Sequence, residues 1–165
     1  MGLELILLIV AFVVIVTLIV VIALAAHGRR QKRAAKAFIN SGVISPNDVL
    51  LIGRHQLGRF SMSQWVFVAV GEEQIAIYAE FIQISGGPTQ YDTFILNHEN
   101  IHSLSVQENK KINVNIKADV VSKQYGYTSA KANQPMEFNL YLKPYLKDTD
   151  TNKILSALNV FKKEI

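Results

Sequence analysis

Cysteine is absent from the chain, which excludes disulfides and thiolate metal ligands and is compatible with a reducing compartment. Proline is scarce, at four of 165 residues, and glycine contributes only nine, so secondary structure has few enforced breaks. No nucleophile elbow, phosphate-binding glycine loop or internal repeat occurs; Gly86-Gly87-Pro88 reads as loop punctuation. Charge is missing from one long stretch. Leu5 to Ala26 is a run of 22 residues without a charged side chain.

That run comprises 17 Leu, Ile, Val or Phe, four Ala and Thr17. As a helix it is about 33 Å long, close to the ~30 Å hydrocarbon thickness of a bilayer. Its many β-branched residues would favour a strand in water. In lipid each backbone group must bond within the segment, and helix wins. A cleaved signal peptide would begin with basic residues and have a shorter apolar run. Ala23-Leu24-Ala25 has the small residues of a cleavage site, but the chain starts Met1-Gly2-Leu3-Glu4. Gly2 does not meet the myristoylation pattern either, because Ile6 stands where Ser or Thr is required.

Directly after the run come Arg29, Arg30, Lys32, Arg33 and Lys36, without an acid among them. The opposite flank has only Glu4 and the terminal amine. The positive-inside rule therefore places the short N-terminus outside and the C-terminal part in the cytoplasm of a single-pass cell-membrane protein. The basic cluster sets this topology, and it also offers anionic lipid about 1 kcal/mol of attraction per residue near the surface. Residues 37–165 carry 12 Lys or Arg and 12 Asp or Glu, so the formal +4 of the chain resides entirely around the span. A neutral domain lacks the footprint of a nucleic-acid binder.

The expected division is an anchor over 1–28, a basic juxtamembrane helix and linker over 29–45, and a soluble domain over 46–165. Helix formers around Lys32-Arg33-Ala34-Ala35-Lys36 continue the first helix to Asn40, and Ser41-Gly42 ends it. After the turn at Ser45-Pro46-Asn47-Asp48, strands are expected at 49–52, 65–70, 74–79, 91–96, 101–106, 111–120 and 136–142. The clearest is 111–120, where Ile112, Val114, Ile116 and Ala118 alternate with Asn113, Asn115, Lys117 and Asp119. A polar stretch from Ser122 to Gln134 reads as a mobile loop, with Tyr125 and Tyr127 as candidate contact residues. Asp150-Thr151-Asn152 opens a closing helix that has Ile154, Leu155, Leu158 and Phe161 at helical spacing and Lys162 and Lys163 at its end.

Three stretches resemble a known superfold. Trp65-Val66-Phe67-Val68-Ala69-Val70-Gly71-Glu72-Glu73-Gln74-Ile75-Ala76-Ile77-Tyr78 looks like a hairpin of the pleckstrin-homology-like domains, in particular the bacterial PH and GRAM types. Phe94 to Val106 is similar to another segment of that pattern, and the last strand with its helix matches the family's C-terminal cap. The expected fold is a single N-terminal transmembrane helix followed by a mainly-β domain of about seven antiparallel strands in a bent sheet or partly open barrel, capped by a helix. The resemblance, which spans residues 49–163, implies the same arrangement for that domain. It implies binding of phosphoinositides, peptides or proteins. Phosphoinositide-binding members use a basic cluster in the first hairpin loop, where this chain has only Arg54, His55 and Arg59. Fold alone does not assign function.

His98-Glu99-Asn100-Ile101-His102 spells H-E-x-x-H. On a helix, histidines four apart share a face and can hold one Zn²⁺, with the Glu as general base. Asn97, Asn100 and Ser103 are modest helix formers, however, and Ser103 to Gln107 alternates as a strand does. The third ligand would come from Glu108, Asp119 or Glu137. The competing reading is a turn between two strands with exposed histidines. The expectation is thus a non-enzymatic, membrane-tethered interaction module or accessory subunit that needs no cofactor and binds a protein partner. A zinc hydrolase built on His98, Glu99 and His102, and anionic-lipid recognition through the basic cluster, are the alternatives.

Overall fold

The computed structural model describes residues 2–56, 64–81, 90–108, 111–120, 135–146 and 148–162. The chain forms two compact units, Met1–Asn40 and Ser41–Ile165. The first is a single α-helix, α1 (Gly2–Ile39), long and apolar enough to cross a membrane. A helix of a soluble protein would bury one face. Here the apolar run is exposed on every side, with Leu8 at 69% and Leu24 at 67%. The hydroxyl of Thr17 donates to the Val13 carbonyl at 2.7 Å, so the one polar side chain of the run is satisfied within the helix.

The helix passes through residue 28 without a break, so the expected anchor and most of the expected linker are one element. Beyond the apolar run, residues 27–39 continue it for about 20 Å. The Asn40 amide still bonds to the Lys36 carbonyl at 3.0 Å, and Gly42, at φ 72°, then takes the left-handed conformation that side chains disfavour.

The second unit is a seven-stranded antiparallel sheet, curled into a half-barrel, with one helix. Its strands are β1 (Val49–Gln56), β2 (Gln64–Val70), β3 (Gln74–Phe81), β4 (Gln90–Asn97), β5 (Ile101–Glu108), β6 (Ile112–Ala118) and β7 (Met136–Pro144). Across the sheet they run β4-β3-β2-β1-β7-β6-β5. Most strands extend one to four residues past their apolar runs; β1 continues through Gly53, Arg54 and His55, which break the apolar pattern without breaking the ladder. β4 and β5 are adjacent in sequence yet form the two edges of the sheet.

β1 lies at the centre, pairing with β2 from Val49↔Val70 to His55↔Gln64 and with β7 from Leu51↔Pro144 to Gln56↔Asn139. Gly53 allows the close approach to β7. A Cβ there would overlap the Tyr141 carbonyl oxygen and come within 3.0 Å of the Leu142 Cα, both of them backbone atoms that cannot step aside. The curl brings Phe94 of β4 edge-on to Phe138 of β7, with centroids 5.4 Å apart, although three strands separate them in the sheet.

Inward side chains form one core that includes Leu51, Val66, Ile77, Leu96, Leu104, Ile116 and Leu140. The closing helix, α2 (Thr151–Asn159), packs against β1 and β2 and adds Ile154 and Leu158 to that core. Asp150 caps it, accepting from the Asn152 amide at 3.0 Å. The helix ends earlier than its apolar spacing suggests. Two tight hydrogen bonds, Phe161 N to Leu158 O and Lys162 N to Asn159 O, both 3.1 Å, turn the chain so that Phe161 enters the core. Lys162 therefore follows the helix instead of closing its last turn, and Lys163 lies outside the described residues.

Candidate functional site

The H-E-x-x-H segment is a β-corner. Residues 98–100 form the turn between β4 and β5, and His102 stands on β5. Two asparagines hold the corner reciprocally. The Asn97 Oδ1 accepts from the amides of Glu99 at 3.0 Å and Asn100 at 3.1 Å, while the Asn100 Oδ1 accepts from the Asn97 amide at 2.8 Å. Asn100 Nδ2 also donates to the Ile95 carbonyl at 3.0 Å, and the Asn100 carbonyl accepts from the Asp119 amide at 2.8 Å. Side-chain bonds of this kind are what make Asn a turn former and a poor interior helix residue.

The corner sends its histidines to different partners. His98 stacks on Phe161, with centroids 4.7 Å apart and planes at 17°. His102 lies at a register shift in β5, and its Nε2 is 2.8 Å from the Asp119 Oδ2 in an exposed pair. Of the other acids considered as metal ligands, Glu137 accepts from Asn115 Nδ2 at 2.7 Å, and Glu108 ends β5 at the far end of the strand. Among the described residues, no three His, Asp or Glu side chains gather as a metal site.

The five basic residues form a clearer assembly. Arg29, Arg30, Lys32, Arg33 and Lys36 are all exposed on α1. At about 100° per residue they fall within an arc of about 160°, and Gln31, Ala34, Ala35 and Phe38 occupy the opposite arc. The cations thus form one face of the extension that leaves the apolar span.

Arg54 and His55, neighbours on β1, face opposite sides of the sheet. Arg54 is exposed on the outer face, 5.0 Å from the centre of the Trp65 ring. The next residue, His55, points inward and is only 1% exposed. Arg59, Tyr125 and Tyr127 lie outside the described residues. Burial holds the His55 imidazole below its usual pKa, partly offset by a hydrogen bond with the Glu80 backbone, so the ring is neutral near pH 7. Asp92, 3% exposed, is the other buried polar residue among those described, and its Oδ1 accepts from the Thr93 amide at 2.8 Å.

The sequence reading missed two arrangements. On the outer face, Arg54 is paired across the strands with both Tyr141 and Trp65, Glu80 is paired with Tyr91, and Tyr78 stacks on Tyr91 with centroids 4.9 Å apart. Farther along that face, Asn115 Nδ2 donates to both Glu137 Oε1 and Asn139 Oδ1, the latter at 2.6 Å. Period-two alternation had put Asn115 on the wet face of its strand. The alignment with its neighbours needed the strand order. No family model, curated protein or solved structure matches the chain.

Proposed function

We propose that the chain is a membrane-tethered interaction module: α1 spans the cell membrane with its N-terminus outside, and the β-rich unit, a PH-like domain, works in the cytoplasm. The observation that carries the reading is α1 itself, where an exposed apolar run is followed at once by five exposed cations on one arc. The strand order and closing helix support the PH-like assignment, since a curled sheet with a helix in its core is the architecture that the resemblance implies.

The proposed partner is a protein in or near the same membrane, with this chain as an accessory subunit. Tethering raises the effective concentration for such a partner, so a modest interface suffices. Tyr145 and Leu146, at 36% and 60% exposure, offer an aromatic and apolar contact point of the kind that anchors interfaces. A photo-crosslinking residue at Leu146 in the full-length chain tests this in cells. The reading expects one dominant adduct with a membrane protein, lost when the residue is moved to Lys153. Recovery of the chain alone, without an adduct from either position, counts against it.

The exposed cationic arc supports a second contribution, attraction to anionic lipid, which the protein partner does not exclude. Vesicle binding by the chain with and without the five charges measures it.

A further inference from the structure

The outer face of β5, β6 and β7 is built from side chains that strands ordinarily avoid. Asn113 and Asn115 on β6 are aligned with Gln107 and Ser105 on β5 and with Tyr141 and Asn139 on β7. Exposed strand positions favour Thr, Val, Tyr and other β-branched or aromatic residues, whereas Asn is depleted in strands. Three asparagines side by side on inner and neighbouring strands give up propensity without contributing to the core. Local choices that work against the fold concentrate where function requires them.

The same residues surround a hollow of about 240 Å³. That is below the ~300 Å³ at which pockets for drug-sized ligands begin, and suits a single ring. Its floor is organised, because the Asn115 amide nitrogen bonds to Glu137 and Asn139 and fixes both side-chain amides. Tyr141, 43% exposed, stands at one side. The lining is uncharged, and the carboxylate beside it, Glu137, accepts from Asn115 and stands opposite Lys117 in the strand register.

We infer that this hollow binds an uncharged hexopyranose unit, presented either by a free oligosaccharide or by a glycolipid headgroup. Amides and hydroxyls both donate and accept, as vicinal sugar hydroxyls require, and the Tyr141 ring is a platform for the apolar face of a pyranose. The neutral lining disfavours phosphorylated and nucleic-acid ligands, which need cations. This site is independent of the protein partner proposed above.

The test uses the full-length chain in a detergent without a sugar headgroup, titrated with methyl glucoside, methyl galactoside, N-acetylglucosamine and maltohexaose. Phosphatidylcholine nanodiscs with and without monoglucosyl diacylglycerol form the second arm. The inference expects saturable binding of at least one probe, with shifts in the side-chain amide resonances of Asn115 and Asn139. Tyr141→Ala and Asn113→Ala should each weaken it by about tenfold or more, Tyr141→Phe much less, with unchanged melting temperatures. Binding of the soluble sugars identifies an oligosaccharide, and binding confined to the glycolipid nanodiscs identifies a headgroup. Absence of saturable binding in both arms, shifts confined to another face, or equal affinity of wild type and variants would overturn it.

Discussion

His98 lies flat against Phe161, joining the corner between β4 and β5 to the turn that follows α2. The two rings contribute unequally. Phe161 is buried to 1% exposure and is part of the core, whereas His98 is exposed and covers it from outside.

Phe161→Ala should therefore cost about 3–5 kcal/mol, the usual loss for a buried Phe. His98→Ala should cost about 1 kcal/mol or less, as a surface ring contact does. Urea unfolding of the full-length chain in micelles, followed by circular dichroism, measures both. A metal role for His98 would instead show as zinc in the purified protein that the His98→Ala variant loses.

Two glycines should respond to alanine in opposite directions. At Gly53 the new methyl meets backbone atoms of β7, so Gly53→Ala should destabilise by about 1–3 kcal/mol, the range for overpacking. Nothing lies within 4 Å of a Cβ at Gly28 inside α1, and Gly28→Ala should strengthen the helix by about 0.5–1 kcal/mol. Thermal unfolding of the β-rich unit reports the first change, and helical amide exchange around residue 28 the second.

These elements differ in how far the sequence discloses them. The apolar run, the cations after it and the period-two alternation of Ile112 to Ala118 are local patterns, and the structure has a long apolar helix with a basic extension at the first two and a strand at the third. The bonds of the β4–β5 corner are local too, but they depend on which Asn oxygen faces which amide, and composition does not specify that. The asparagine panel and the place of Gly53 depend on pairing between distant segments. β1 meets β7 across more than eighty residues of chain, a relationship that no window of sequence contains. Helix spacing through Phe161 overestimated the length of α2, because a tight turn can present the same apolar residue to the core.

His55 should make stability depend on pH. Its folded pKa is lowered by burial, while the unfolded chain has the ordinary value of about 6.5. Above pH 6.5 the ring is neutral in both states and stability is at its plateau. Below it the unfolded chain gains a proton that the folded protein resists, so stability falls by up to about 1.4 kcal/mol per pH unit until the folded pKa is reached. Urea midpoints from pH 7.5 down to pH 5 should show this decline. His55→Gln, less stable at neutral pH, should reduce the slope across that window.

The corner can be tested through Asn100, whose side chain both accepts from the Asn97 amide and donates to the Ile95 carbonyl. Asn100→Ala removes both bonds and should cost about 1–2 kcal/mol, similar to the loss of a helix cap. Asn100→Asp keeps the acceptor and should recover part of that loss. Nuclear magnetic resonance of the variants should place the largest shifts at Asn97, Glu99 and Asp119.

The sharpest test of the topology uses the cations on α1. An apolar helix of this length enters a bilayer in either direction, and the flanking Lys and Arg decide which end stays behind. Here Arg29, Arg30, Lys32, Arg33 and Lys36 oppose Glu4 and the terminal amine. Replacing all five with Gln removes the bias while leaving the span intact, so the variant should still sediment with membranes but in mixed orientation. Protease added outside intact cells should spare the β-rich unit of the wild type and digest a substantial fraction of it in the variant. Moving two lysines to the N-terminal flank of that variant should increase the digested fraction further. Digestion of the wild-type domain under the same conditions would reverse the assigned sidedness. Release of the wild-type chain into the soluble fraction without detergent would show that α1 is not an anchor.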